Sequence, residues 1–250
     1  MGNDIGDIQL SDPDIINCEY KVIEAAYTPE IEKQFEIANA AWNKKDDIKA
    51  YQLLRPIAEQ GHQVALTIVG TMHELAEGGA ELDANKAREY YEKASCQGYA
   101  PALYHLGLIY YSGHGAIQHY GIAYDYFVKS AELGWAGAIH NAGAMALYGQ
   151  GTDQDSKKAI YWFHKGAEQE SVHSMFNLGI GYFKGEGAPK DIWKSYMWFD
   201  LAEFLGDPNS SEWKKLLADE YLVPDEIKEI KVMAQECIAN AYVNCGGRKI

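Results

Sequence analysis

The chain has 250 residues, 47% of them hydrophobic, with 36 acidic against 22 basic side chains and a formal charge of −14. That composition buries a core and excludes wholesale disorder. The acidity argues against nucleic acid and anionic membrane surfaces, which are held by clustered Lys and Arg. No apolar run approaches the roughly 18 residues of a bilayer span, so no membrane insertion is expected.

The chain opens on "MGNDIGDIQLSDPDIIN", which is acidic and unlike a signal peptide. Gly6 stands where myristoylation after Met-Gly wants Ser or Thr. Residues 1–27 are expected to form a partly disordered segment or a short helix. Residues 28–62 then read as a first helical hairpin with a short loop. From there a pattern repeats. "LGLIYYSGHG" (106–115) returns as "AGAMALYGQG" (142–151) and "LGIGYFKGEG" (178–187), with a weaker copy in "VGTMHELAEGG" (69–79). A helix glycine recurs at Gly70, Gly107, Gly143 and Gly179. An aromatic pair recurs every 36 residues at Tyr90-Tyr91, Tyr126-Phe127, Trp162-Phe163 and Trp198-Phe199. The Gly-x-Gly that ends each first helix is therefore punctuation, not a phosphate cradle.

Each unit reads as two helices joined by a polar loop, and a glycine inside the first helix calls for close helix–helix approach. Such a unit buries its apolar face only against stacked neighbours. The predicted repeats run over about 28–62, 63–99, 100–135, 136–171 and 172–207. Residues 208–243 read as a C-terminal pair of capping helices, with Ser210 or Ser211 as an N-cap and Pro224 in a first turn. Residues 244–250 read as a flexible tail.

The unit "ALYHLGLIYYSGHG…AYDYFVKSAELG" (102–134) is similar to the Sel-1-like repeat family, a relative of the tetratricopeptide repeats, and the similarity covers about 28–207. Glu170 replaces the closing glycine and Leu201 the lysine of the pattern. The resemblance implies an all-α fold: a right-handed α-solenoid of stacked helical hairpins whose first helices line a concave surface that binds protein. Some members are linked to β-lactam binding, in a cysteine-paired subgroup whose bridges this chain is expected to lack. Cys18, Cys96, Cys237 and Cys245 show neither close pairing nor metal-type spacing and read as reduced, partly buried thiols.

No catalytic constellation stands out. "SEWK" (211–214) matches the Ser-x-x-Lys of penicillin-binding enzymes without its companion motifs. His73-Glu74 lacks the second histidine of a zinc protease helix. His114 and His119 share one loop and read as solvated. His105, Asn141 and Asn177 share one helix position and read as a polar spine. No cofactor and no metal are expected.

Comparing the repeats singles out a face. One stripe of each first helix supplies hairpin packing (Leu66-Val69-His73, Leu103-Leu106-Tyr110, Ile139-Ala142-Ala146, Met175-Leu178-Tyr182). A second stripe varies in character, and i, i+4, i+7 spacing keeps its members together. From it the candidate partner-binding residues are Glu74, Tyr104, Leu108, Tyr111, His140, Phe176, Ile180 and Phe183, with Tyr148 beside them. The alternative is that this stripe packs on the neighbouring first helix. The expected function is a non-catalytic scaffold or adaptor, in bacterial signalling or secretion, whose groove binds a peptide or a protein with a basic patch. Alternatives are an immunity-type antagonist of a toxin, a β-lactamase or peptidoglycan hydrolase, and a self-assembling array. A monomer or weak homo-oligomer is expected. The cytoplasm is the favoured compartment, with a periplasmic or secreted protein, its signal peptide removed, as the alternative.

Overall fold

A glycine in mid-helix costs about 1 kcal/mol against alanine, and here an aromatic ring explains its return. A Cβ at Gly70 would lie 2.8 Å from the ring of Tyr91, at Gly107 2.6 Å from Phe127, at Gly143 2.7 Å from Phe163 and at Gly179 2.7 Å from Phe199. In these four repeats the second ring of the aromatic pair thus rests on the bare Cα of the first helix. All four rings are buried, none more than 1% exposed.

These contacts come from a computed structural model that describes residues 27–243 and 245. Twelve α-helices and no strand are present among the described residues, and none of these helices is long and apolar enough to cross a membrane. The chain divides into two compact units, Met1–Leu133 and Gly134–Ile250. The first holds α1 (Pro29–Asn43), α2 (Asp47–Glu59), α3 (Gln63–Leu75), α4 (Ala84–Ser95), α5 (Ala100–Ser112) and α6 (Tyr120–Glu132). The second holds α7 (Ala136–Tyr148), α8 (Ser156–Ala167), α9 (Val172–Lys184), α10 (Ile192–Phe204), α11 (Ser210–Glu220) and α12 (Pro224–Ala239). In the first unit α1 with α2, α3 with α4 and α5 with α6 pack as hairpins, and in the second α7 with α8 and α9 with α10. Within each unit the second helix of one hairpin packs on the first helix of the next, while α11 and α12 both pack on α10. The fold is an all-α repeat. The expectations for residues 1–26, 244 and 246–250 lie outside the described residues.

Helix ends keep the same beat as the glycines. The second helices start at Asp83, His119, Asp155 and Asp191, each accepting a backbone N–H of the first turn. Successive turns are also tied together: Gln97 donates to the Gly61 carbonyl at 2.7 Å, and Gln169 to that of Gly134 at 3.0 Å. Glu170, which replaces the closing glycine, still takes the left-handed backbone at φ 58°. The glycine-to-glutamate exchange therefore changes the strain and not the turn, since a non-glycine residue there costs of order 1 kcal/mol.

Two expectations for the C-terminus are corrected. The helix over 210–220 has Asn209 at its N-cap with no side-chain cap bond. Asp207 does the work instead, accepting from the Asn209 N–H at 3.1 Å and the Ser210 hydroxyl at 2.6 Å. Three of the cysteines are not thiols: Cys237 and Cys245 form a disulfide, and Cys96 is disulfide-bonded as well, while Cys18 lies outside the described residues. Ala241 and Tyr242 turn the chain through φ 49° and 62° after α12, which brings Cys245 back to Cys237. Residue 245 of the expected flexible tail is therefore tethered.

Trp162 and Trp198, the first rings of their pairs, are 8% and 0% exposed. Truncating either to Ala is expected to cost about 3 kcal/mol or more, as buried large-to-small changes do. Denaturant melts of the two variants check this, and melts superposable on the parent would show the aromatic slot to be dispensable.

Candidate functional site

The first-helix stripe is positioned by the packing stripe beside it. Leu66, Val69 and His73, Leu103 and Leu106, Ile139, Ala142 and Ala146, and Met175, Leu178 and Tyr182 are all buried, with Tyr110 half-buried. With that face committed to the hairpin, the varying stripe is left at the edge of the core.

In the first unit the stripe is held by a polar network. Glu74, half-buried on α3, accepts a hydrogen bond from the Tyr91 hydroxyl at 2.7 Å, which also lies 3.1 Å from the Thr71 hydroxyl. The His105 ring stacks on Tyr91 with centres 4.6 Å apart and planes at 9°, and its Nδ1 is 3.8 Å from the Glu74 carboxylate. Burial pushes the Tyr91 phenol far above its ordinary range. Burial also lowers the pKa of His105, against the raising effect of Glu74. Tyr104 meets His105 edge-on at 5.8 Å and Phe127 at 5.8 Å, while Tyr111 lies against Tyr120 at 5.2 Å. Leu108 is half-buried, and Tyr111 is 37% exposed.

In the second unit the stripe is more strongly covered by its neighbours. Phe176 packs edge-on against Phe199 at 5.4 Å. Phe183 meets Trp213 of α11 at 5.4 Å and Tyr221 at 6.0 Å, with the Lys190 ammonium 5.2 Å above its ring. His140 lies 5.5 Å from His173 on the next first helix. Ile180 is half-buried, and Tyr148, at the end of α7, is 69% exposed. The neighbouring helices thus take part of the face through Glu74, His140 and Phe183, while Tyr111, laid against Tyr120, stays 37% exposed and Tyr148 69%. Periodicity alone could not sort these, because the covering groups (His105, His173, Trp213) come from α5, α9 and α11, two helices further along the chain.

Two other candidates are accounted for by structure. His119 turns Nδ1 to the Ile122 N–H at 3.1 Å as the cap of α6, and His114 is exposed. Lys214 of "SEWK" is clamped between the carboxylates of Asp200 and Glu203 and lies 5.6 Å from the Tyr196 ring. Burial works against its charge, but the hydrogen bonds to Asp200 and Glu203 raise its pKa above the ordinary value. An ammonium so held does not activate Ser211, which is exposed. Among the described residues no group of three or more His, Cys, Asp or Glu side chains could hold a metal ion.

Comparison with known proteins agrees with this geometry. The Sel1 repeat model matches residues 44–62, 64–99, 100–135, 136–171 and 172–206. The chain belongs to the Sel1 repeat family. The crystal structure of a Sel1 repeat protein from Oxalobacter formigenes is 28% identical, with a TM-score of 0.64 over 69% of this chain and 49% of that one. That of c5321, a protective antigen present in uropathogenic Escherichia coli strains and displaying an SLR fold, is 19% identical, with a TM-score of 0.73 over 84% of this chain and 47% of that one. This chain therefore spans about half the length of both. No protein among the curated ones matches the chain. Sel1 repeats mediate protein interaction.

Four histidines of the site and its flanks, His62, His105, His140 and His164, have lowered pKa values, with burial as the leading cause. His62 is informative: its Nδ1 accepts the Ala65 N–H at 3.3 Å to cap α3, a role that needs an unprotonated nitrogen. The folded chain therefore binds fewer protons than the unfolded chain, whose histidines titrate near 6.5. Their contribution is full above about pH 6.5 and is lost as pH falls from there through the folded-state values. The melting temperature is expected to drop between pH 7.5 and pH 5.5, by about 4 °C for each kcal/mol lost in a unit of this size. A flat profile across that window would contradict it.

Proposed function

We propose that this chain is a non-catalytic scaffold whose first-helix stripe takes a peptide or a partner protein with a basic patch, as an adaptor would in bacterial signalling or secretion. The observation that carries the reading is Tyr111 in the first unit and Tyr148 in the second, 37% and 69% exposed at the ends of first helices whose other faces are spent on packing. Exposed tyrosines supply contact area at low entropic cost and rank among the side chains that dominate binding energy. The charge of −14 favours a basic partner and speeds its encounter. Membership of a family whose repeats mediate protein interaction supports the same reading. Beside them, Tyr104 and Leu108 in the first unit and Phe176 and Ile180 in the second contribute half-buried contact surface, with Glu74 an acidic element of the first.

The test separates contact from stability. A partner recovered by affinity capture and identified by mass spectrometry is titrated against Tyr111→Ala and Tyr148→Ala, each expected to leave folding within about 1 kcal/mol of the parent as surface changes do. Loss of about tenfold or more in affinity in either variant, with unchanged melting, is the expected result, since hot-spot truncations cost 2 kcal/mol or more. Unchanged affinity in both would place the binding surface elsewhere.

A further inference from the structure

A cleft in the first unit is left unfilled by the packing. It has a volume of about 320 Å³ and is lined by Trp42, Asn43, Lys45, Asp47, Leu75 and Glu77. These residues come from the ends of α1 and α3, the loops that follow them and the start of α2. Leu75 stands five residues after Gly70, as Tyr148 stands five after Gly143, so the cleft lies at the loop end of the varying stripe. Its walls are fixed. Trp42 is half-buried and packed on the core. A Cβ at Gly78 would fall 2.3 Å from the Asp47 carbonyl oxygen, so the loop after α3 is pressed onto the start of α2. The same junction recurs at Gly115 on Ala84 and at Gly187 on Ser156. It therefore works without a carboxylate there, and α2 is already capped by Asp46. Before Gly187, Glu186 pairs with Lys184 at 3.9 Å. Glu77, its counterpart before Gly78, has no such pairing: among the described residues no ion pair or side-chain hydrogen bond holds Asp47, Glu77 or Lys45.

We infer that this cleft receives a basic side chain, an arginine, from a partner protein. The inference rests on the partner-binding reading and says where the partner's charge is taken up. Charge selects a cation: two carboxylates line the cleft against one ammonium. The C-terminal ends of α1 and α3 add partial negative charge, and α1 has no basic residue in its last turn. Size selects a single side chain. At the small end of the roughly 300–1,000 Å³ of ligand pockets, the cleft has room for one long side chain and little more. The wall selects arginine over lysine, because a guanidinium stacks flat on an indole while its fork of donors matches a carboxylate. Lys45 is exposed and competes for the same carboxylates. Walls already held in place by the core and by the Gly78 junction spare the partner the entropy of ordering them.

The test titrates the full chain with N-acetyl-arginine amide at constant ionic strength and follows the tryptophan indole resonances by NMR, Trp42 being assigned with Trp42→Phe. The Trp42 resonance is expected to move saturably at millimolar probe, and N-acetyl-citrulline amide, the neutral isostere, to leave it in place. Asp47→Asn with Glu77→Gln is expected to weaken arginine binding at least about threefold, and Lys45→Ala to tighten it about twofold or more, the scale of partly exposed ion pairs. A Trp42 resonance that does not respond, that responds equally to citrulline, or that titrates identically in the carboxylate variant would overturn the assignment. None of these results touches the role of Tyr111 and Tyr148, which is read from the captured partner. Conversely, a captured partner indifferent to both tyrosines would leave the probe titration standing.

Discussion

Four of the hairpins depend on one contact, a flat aromatic ring laid on a helix where the side chain has been removed. A ring centred over a Cα carrying even a methyl group would have to retreat, since the hypothetical Cβ atoms fall 2.6 to 2.8 Å from ring carbons. The glycine gives up helix propensity. In return the two helices approach closely enough for a Phe or Tyr to be buried completely, a gain of roughly 2–3 kcal/mol per ring. The contact also fixes rotation and register together. A ring that fits over only one residue tells each helix which face to turn inward, and the packing stripe and the varying stripe then follow by helical spacing.

Joining hairpins calls for different chemistry. Between hairpins the links are polar and specific: Gln97 to the Gly61 carbonyl, Gln169 to that of Gly134, His105 stacked on Tyr91 beside Glu74. Each satisfies a backbone or buried polar group that stacking would otherwise strand. Stacking therefore favours particular neighbours over generic apolar association. The same links consume part of the varying stripe, which is why its members range from the covered Phe183 to the open Tyr148. A repeat surface of this kind offers function at the positions its neighbours leave uncovered.

What could be read from the sequence was what recurs at fixed spacing. The beat of Gly107, Gly143 and Gly179 with Phe127, Phe163 and Phe199 identified hairpins, and the all-α repeat fold and the family follow from it. The second-helix caps at Asp83, His119, Asp155 and Asp191 lie on the same 36-residue beat and were equally open to detection. His119 was harder to see, because a histidine serves as a cap only through an unprotonated ring nitrogen. The cysteine pairing was not legible. It depends on Ala241 and Tyr242 entering left-handed backbone after α12, and neither is the glycine or asparagine that advertises such a turn. The missing side-chain cap of α11 was hidden for a related reason: Asp207, three residues upstream, satisfies the Ser210 hydroxyl that would have been the cap. On the stripe, residue type told which positions vary but not what covers them. Phe183 under Trp213 and Tyr221, and Glu74 under Tyr91, are decided by side chains of other helices.

The ring-on-glycine contact is tested most directly by a double-mutant cycle of Gly107→Ala and Phe127→Leu, read by denaturant unfolding. With Phe127 in place, alanine should destabilise by about 1 kcal/mol or more, overpacking outweighing its gain in helix propensity. With Leu at 127 the same alanine should cost little or become favourable, giving a coupling of about 1 kcal/mol or more between the two positions. A Gly107→Ala change that stabilises the parent, or costs the same in both backgrounds, would contradict the claim that the ring requires the glycine.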